Sequence, residues 1–256
     1  MPATLFYKLP VLSITALVMV MGLALAATAS AEPPKGFYFT PKIGYSHMKY
    51  DATETYHSSE DDPDPPEYYS RAGSKGQVAL GLAIGYDFKQ AYDVPIRTEF
   101  EYTWRGKHEK YKTTETDGDT IDITTKLGAQ SFFLNAYFDI YNSTPVTPYI
   151  GAGLGLARVS GEYEDNQREV GLGNHPMNPN PFKTSETKTN FAWNIGAGVA
   201  WKITDLISMD LGYRYADFGK VGCTATGTYG PYDIMGGLVD SRATTHEVLL
   251  GLRFTF

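Results

Sequence analysis

The sequence predicts an all-β fold, an eight-stranded antiparallel transmembrane up-and-down β-barrel occupying residues 32–256 and preceded by a signal peptide at residues 1–31. Three observations predict it. An exported leader opens the chain, period-2 alternation recurs through the remainder, and the connections between alternating segments are short and long by turns.

The leader runs from Met1 to Ala31: a start containing Lys8, an apolar stretch Val11 to Ala27, and Ala29-Ser30-Ala31 before Glu32. A positive start, an apolar middle and a small-x-small end are what a signal peptidase reads, so cleavage is expected after Ala31. An uncleaved spanning helix is the competing reading, and nothing basic follows the run to act as a stop. Beyond residue 31 no apolar run reaches 18 residues, so membrane residence of the mature chain requires strands.

In a lipid-spanning barrel one parity of each strand meets lipid and the other faces the interior. Val78, Leu80, Leu82, Ile84, Tyr86 and Phe88 form one face against Gln77, Ala79, Gly81, Ala83, Gly85 and Asp87. The next segment sets Ile96, Thr98, Phe100, Tyr102 and Trp104 against Arg97, Glu99, Glu101, Thr103 and Arg105, a face too charged for a hydrophobic core. Phe37–Met48, Gly128–Tyr141, Tyr149–Val159, Phe191–Ile203, Ile207–Phe218 and Thr244–Phe256 complete eight strands. Lys89–Pro95, Asn142–Thr147 and Thr204–Leu206 are short connections for the periplasmic side. Tyr50–Lys75, Gly106–Leu127, Ser160–Asn190 and Gly219–Ser241 are long ones for the exterior. Asp117-Gly118 is a tight-hairpin signal that continues the third and fourth strands as a ribbon.

The inward parity carries twelve ionisable residues: Lys42, Arg97, Arg105, Lys202, Arg214 and Arg253 against Asp87, Glu99, Glu101, Asp139, Asp210 and Glu247. Eight strands leave an interior that side chains fill, and charges there must be paired. The expectation is a plugged barrel held by internal salt bridges, with a narrow ion path as the alternative. At the C-terminus Phe256, Phe254, Leu252 and Leu250 share the outward parity, with Leu249 and Gly251 inward. A terminal aromatic on an apolar face suits the periplasmic interface girdle. Leu249, Gly251, Phe254 and Phe256 also resemble the terminal signal of the barrel-assembly machinery, with Leu249 where a polar residue is the pattern.

Formal net charge is −7, and removing Lys8 with the acid-free leader takes it to −8, which excludes nucleic acid as a partner because phosphate binding needs a basic face. Cys223 is the single cysteine, so no internal disulfide framework exists. No cofactor is expected. Residues 51–75 hold seven acids, with Glu60-Asp61-Asp62-Pro63-Asp64 at the centre. The spacing fits no calcium loop, and a solvated, self-repelling loop is the reading adopted.

Thr147-Pro148-Tyr149-Ile150-Gly151-Ala152-Gly153-Leu154-Gly155, Phe191-Ala192-Trp193-Asn194-Ile195-Gly196, Met209-Asp210-Leu211-Gly212-Tyr213-Arg214-Tyr215 and Leu249-Leu250-Gly251-Leu252-Arg253-Phe254 resemble the outer-membrane β-barrel family that includes opacity proteins and the barrel domain of outer membrane protein A. The resemblance implies residence in the outer membrane of a Gram-negative bacterium, contact with its lipid and lipopolysaccharide, and insertion by the barrel-assembly machinery. The family's activities vary, so the resemblance fixes fold and location more than function; the expectation from the loops themselves is a surface and envelope protein, not an enzyme, whose exposed loops and their tyrosines are available to a host or phage partner. A small porin is the alternative. A lipid A-modifying enzyme is the third reading and would need a His and a Ser together near the outer leaflet, whereas Ser46 and His47, being adjacent on a strand, point to opposite faces.

Overall fold

The computed structural model describes residues 35–56, 67–116, 119–169, 182–229 and 232–256, with side chains described at 35–50, 73–106, 126–162, 185–220 and 242–256. The predicted leader, the acid run 60–66 and the Asp117-Gly118 turn lie outside the described residues.

Eight strands close into an antiparallel barrel in sequence order: β1 Phe37–Tyr56, β2 Glu67–Asp87, β3 Ile96–Thr116, β4 Asp119–Asp139, β5 Val146–Glu169, β6 Phe182–Lys202, β7 Ile207–Tyr229 and β8 Tyr232–Thr255. Closure is by β1 against β8, from Tyr38 opposite Thr255 up through His47 opposite His246. At the periplasmic rim the Phe256 amide donates to the Phe37 carbonyl at 2.9 Å and the Gly36 amide to the Phe256 carbonyl at 3.2 Å. Every strand therefore has two neighbours, which is what hydrocarbon demands of a spanning backbone.

The alternation orients the side chains. On β6, Phe191, Ile195, Val199 and Trp201 are exposed, at 63%, 57%, 39% and 50%, while Ala192, Asn194 and Ala200 between them are buried. The stretch from Phe191 to Trp201 rises ~33 Å along the strand, or ~25 Å once tilted by ~40°, which matches the height of a lipid-facing belt. Each other strand contributes at the same level, among them Ile43 and Tyr45 on β1, Leu134 and Phe138 on β4, Leu154 on β5, and Val248 and Leu250 on β8.

The strands extend much further outward than the lipid-facing pattern. Residues assigned to long loops at 50–56, 67–75, 160–169, 182–190, 219–229 and 232–241 are strand, and 106–116 with 119–127 form the ribbon expected on either side of Asp117-Gly118, so the four outer connections are mostly ribbon. The reason is local. Thr-rich and Tyr-containing stretches such as Tyr111-Lys112-Thr113-Thr114-Glu115-Thr116 retain β propensity, and above the bilayer nothing imposes an apolar parity on them. Strands of 20–24 residues reach ~50–60 Å at that tilt, about twice the belt.

On the periplasmic side the first connection contains a five-residue helix, α1 Phe88–Tyr92. Asp87 caps it by accepting from the Lys89 amide at 2.9 Å, and Asp93 ends it in the left-handed region at φ 58°. Phe88 thus leaves the outward strand face where the alternation had placed it.

Candidate functional site: the filled lumen and the outer face

The interior is built in two layers. The lower is ionic. Glu99 on β3, Lys42 on β1, Glu101 on β3, Arg214 on β7, Glu247 on β8 and Arg105 on β3 form one chain of alternating sign across the lumen. The Lys42 ammonium is paired with Glu99 and lies 2.6 Å from Glu101. Arg214 donates Nη1 to Glu101 at 2.5 Å and Nε to Glu247 at 2.6 Å. Arg105 grips Glu247 with Nε at 2.5 Å and Nη2 at 3.0 Å, and gives Nη1 to Ser131 at 2.9 Å. Nearer the periplasm Arg97 holds Asp139 at 2.6 and 2.9 Å, and Arg253 meets Asp210 at 3.4 Å. Pairing and hydrogen bonding on this scale make buried charge tolerable.

Small inner-wall residues leave room for these groups. A Cβ added at Gly198 would lie 2.5 Å from the Tyr149 ring, whose neighbour Arg97 stacks 5.1 Å from the ring centroid. A cavity of about 50 Å³ remains among Lys42, Arg97, Tyr137, Asn194, Asp210 and Arg214, enough for a few waters.

Above the ions lies an apolar layer of Met48, Leu127, Phe133, Val159 and Phe218, with alanines at 129, 157, 192, 216 and 243. The layers are joined by cation–π contacts: Arg105 sits 4.6 Å from the Phe218 ring and Arg214 5.6 Å from Phe133. The sequence reading missed this layer. Phe133 follows Phe132, and of two adjacent rings only the strand parity tells which points inward.

Of the twelve predicted interior charges, the structure brings Lys42, Glu99, Glu101, Arg105, Arg214 and Glu247 into one network and Arg97, Asp139, Asp210 and Arg253 into two flanking pairs. Two stand elsewhere. Lys202 is the last residue of β6, at the periplasmic rim, with its side chain 59% exposed and 2.7 Å from Asp205 across the turn. The hydrogen bond from Lys202 holds the Asp205 carboxyl below its usual range. Asp87 is at the rim, half-buried, with its carboxylate capping α1. A further acid, Asp217, was missed. Strict alternation sends it outward, and there it lies, level with Trp193 and Thr244 on the neighbouring strands, yet buried. It accepts from the Gly219 amide at 2.9 Å and pairs with the exposed Arg242, at the bulge where the register shifts between Asp217 and Lys220 and Gly219 adopts φ 76°.

At the C-terminal end, Leu249 and Gly251 face the interior, Phe254 is half-buried and Phe256 is 42% exposed at the periplasmic rim. At the β1–β8 seam Ser46 faces the interior, hydrogen-bonded to Thr245 at 2.7 Å, while His47 lies on the opposite, outward parity. His246, directly opposite His47, is 2.7 Å from the Tyr213 hydroxyl through Nδ1.

A closed eight-strand wall with an apolar outer belt, and a lumen packed with paired ions under an apolar layer, define a small outer-membrane β-barrel. The chain belongs to the outer membrane protein beta-barrel domain family, whose model matches residues 15–256. It is 32% identical over 248 residues to the outer membrane protein PagN of Salmonella typhimurium, covering 93% of this chain and 98% of that protein. It is 23% identical over 260 residues to the opacity protein opA60 of Neisseria gonorrhoeae, covering 89% and 100%. It is also 26% identical over 186 residues to an adhesin candidate of Rickettsia conorii, covering 72% and 68%. The protein resides in the outer membrane and is a surface protein of the opacity-like kind.

Proposed function

We propose that this barrel is a surface-display and envelope protein whose elongated hairpins bind a partner on a host cell or phage, and that it is not an enzyme. The observation that carries the reading is strand length. Strands of 20–24 residues are about twice the ~10 a barrel needs to cross the bilayer, so the outer connections are held well above it on paired ribbons. A barrel that only anchored or conducted would gain nothing from such stalks. The likeness to an adhesin candidate supports the same reading.

The test is deletion of Thr55–Ser70. Ala52 pairs with Arg71, so the deletion leaves Thr53-Glu54 as a two-residue turn and keeps the β1–β2 register. The expected outcome is lost adhesion to host cells or lost phage adsorption, with surface exposure and heat-modifiable gel migration intact. Unchanged binding after this deletion and equivalent shortening of the other three hairpins would overturn the proposal.

The porin reading has the cavity beside Lys42 and Arg214 in its favour and the apolar layer above it against it. Planar-bilayer recordings should show no steady conductance steps. The enzyme reading would be revived by altered lipid A in expressing cells, abolished by changing His47 or His246. Export by cleavage after Ala31, and reading of Leu249, Gly251, Phe254 and Phe256 by the assembly machinery, belong to the same proposal; N-terminal sequencing of the mature protein checks the first.

A further inference from the structure

We infer that the outer edge of β3, Gly106–Thr116, is where an extended acidic segment of an external protein docks, pairing with it as an added strand. The inference rests on the surface-binding reading above and names how the partner is held. Among the described residues, β2 and β3 pair from Asp87 opposite Arg97 up to Ala79 opposite Arg105 and no further. β6 and β7 likewise stop at Trp193 opposite Asp217. The other junctions continue far higher: β1–β2 to Tyr56 and Glu67, β3–β4 to Thr116 and Asp119, β5–β6 to Asp165 and Phe182, and β7–β8 to Tyr229 and Tyr232. Above the belt the barrel therefore divides into two four-stranded leaves, β7–β8–β1–β2 and β3–β4–β5–β6, parted by two breaks.

A break in the ladder is tolerable only where water reaches it, because hydrocarbon leaves a bare edge unsatisfied. This one opens where the lipid-facing pattern stops: beyond Val78 the outward positions of β2 are Gly76 and Ser74, and beyond Trp104 that of β3 is Gly106. The second break is bridged at its foot. Asn190 Nδ2 donates to the Phe218 and Lys220 carbonyls at 3.0 and 2.6 Å, which occupies two acceptors of the β7 edge. The β3 edge runs for eleven residues. That is ~36 Å of strand turning about five N–H and C=O pairs toward the break, a repeat that an extended backbone matches and a sugar chain does not.

Charge selects the occupant. Gly106–Thr116 carries Lys107, Lys110 and Lys112 against Glu109 and Glu115, and the facing Glu67–Val78 carries Arg71 and Lys75 against Glu67. The edges of the second break, 182–192 and 218–229, also have one net positive charge each. In contrast, the outer parts of the four strands inside the leaves, 50–56, 119–127, 160–169 and 232–241, are each one to three charges negative. In a chain of net charge −7 the basic residues are thus sorted to the edges. Edges of like sign resist pairing with one another, which keeps copies of the barrel apart, and they accept a strand of opposite sign. Of the two lips, β3 is the one that suits an acidic strand, because the connection beyond β2 holds Glu60, Asp61, Asp62 and Asp64 and repels it.

The experiment titrates the refolded mature chain in bicelles with labelled probes: a peptide of about twelve residues alternating Thr and Glu, the same peptide N-methylated at every residue, and a sulfated oligosaccharide of equal charge. Fluorescence anisotropy gives the affinity, and hydrogen exchange read by NMR gives the site. The unmodified peptide should bind at least about tenfold more tightly than the methylated one, which keeps charge and length but has no N–H to pair, and should slow exchange of amides within 106–116. Lys110→Glu with Lys112→Glu should weaken it about tenfold, whereas Lys183→Glu with Lys188→Glu, on the β6 edge, should leave it unchanged. Unaltered heat-modifiable migration confirms that the variants fold. Equal binding of the two peptides, tighter binding of the saccharide, protection confined to another segment, or an equal loss with the β6 variant would each overturn the inference. Host-cell adhesion separates it from the broader reading: adhesion lost on deleting Thr55–Ser70 but kept with Lys110→Glu and Lys112→Glu would sink the edge site and leave the display role standing.

Discussion

Replacing Glu247 by Gln tests how the lumen is held. Its carboxylate is fully buried and takes three donors from two guanidinium groups, Arg105 and Arg214. Arg214 retains Glu101 after the change, whereas Arg105 retains only the neutral Ser131, the Thr103 carbonyl and the face of Phe218. One buried cation is thus left without an opposite charge, a loss of ~3–5 kcal/mol. The amide oxygen of Gln returns ~1 kcal/mol by accepting one of the lost bonds. With a net loss of ~3 kcal/mol and an m-value of ~2–3 kcal/mol/M in urea, the midpoint should fall by ~1–1.5 M. The assay is equilibrium unfolding in lipid vesicles, reading the folded fraction from unboiled gel migration. A midpoint within 0.3 M of wild type would show that the network is energetically idle and refute the reasoning. The double variant Arg105→Leu with Glu247→Leu should recover most of the loss, since it removes both charges and extends the apolar layer above them.

Phe218→Ala should cost ~3–5 kcal/mol, as expected for a fully buried ring, with an added loss at Arg105. The urea midpoint checks it. Lys202→Ala should leave the same midpoint within ~0.2 M of wild type, because the side chain is exposed and its pair with Asp205 lies in water. Gly198→Val should abolish the heat-modifiable band in reconstitution, since the added atoms meet the Tyr149 ring and the β7 backbone. Phe256→Ala should slow insertion in a pulse-chase assay while leaving the final barrel unchanged.

The transmembrane half of the fold was legible because lipid imposes a rule on every second residue. Gln77 to Asp87 and Ile96 to Arg105 obey it, and their strands lie where the alternation put them. The rule fails where lipid ends. Above the belt no lipid enforces a parity, so a stretch such as 219–229 carries no alternation and reads as loop although it is strand. It also fails where the backbone departs from the period. The bulge between Asp217 and Lys220 reverses the sense of Lys220, which is exposed although it shares the parity of buried Ala216 and Phe218, and a single sequence marks it only by Gly219. The ion network was legible as a list of inward charges. Its wiring depends on barrel shear and on side-chain reach, which brings Arg105 of β3 across the lumen to Glu247 of β8, 142 residues away.

The β1–β8 seam also constrains how the chain can acquire its structure. Ser46 meets Thr245 across a separation of 199 residues, and the amide of the final residue bonds the first strand. Until β8 exists, β1 is a bare edge with its carbonyls and amides unsatisfied, which neither hydrocarbon nor a crowded aqueous compartment tolerates without risk of aggregation. The first strand must wait for the last. Such non-local pairing is slow, and it sets a requirement for an escort that shields the open edge between export and closure.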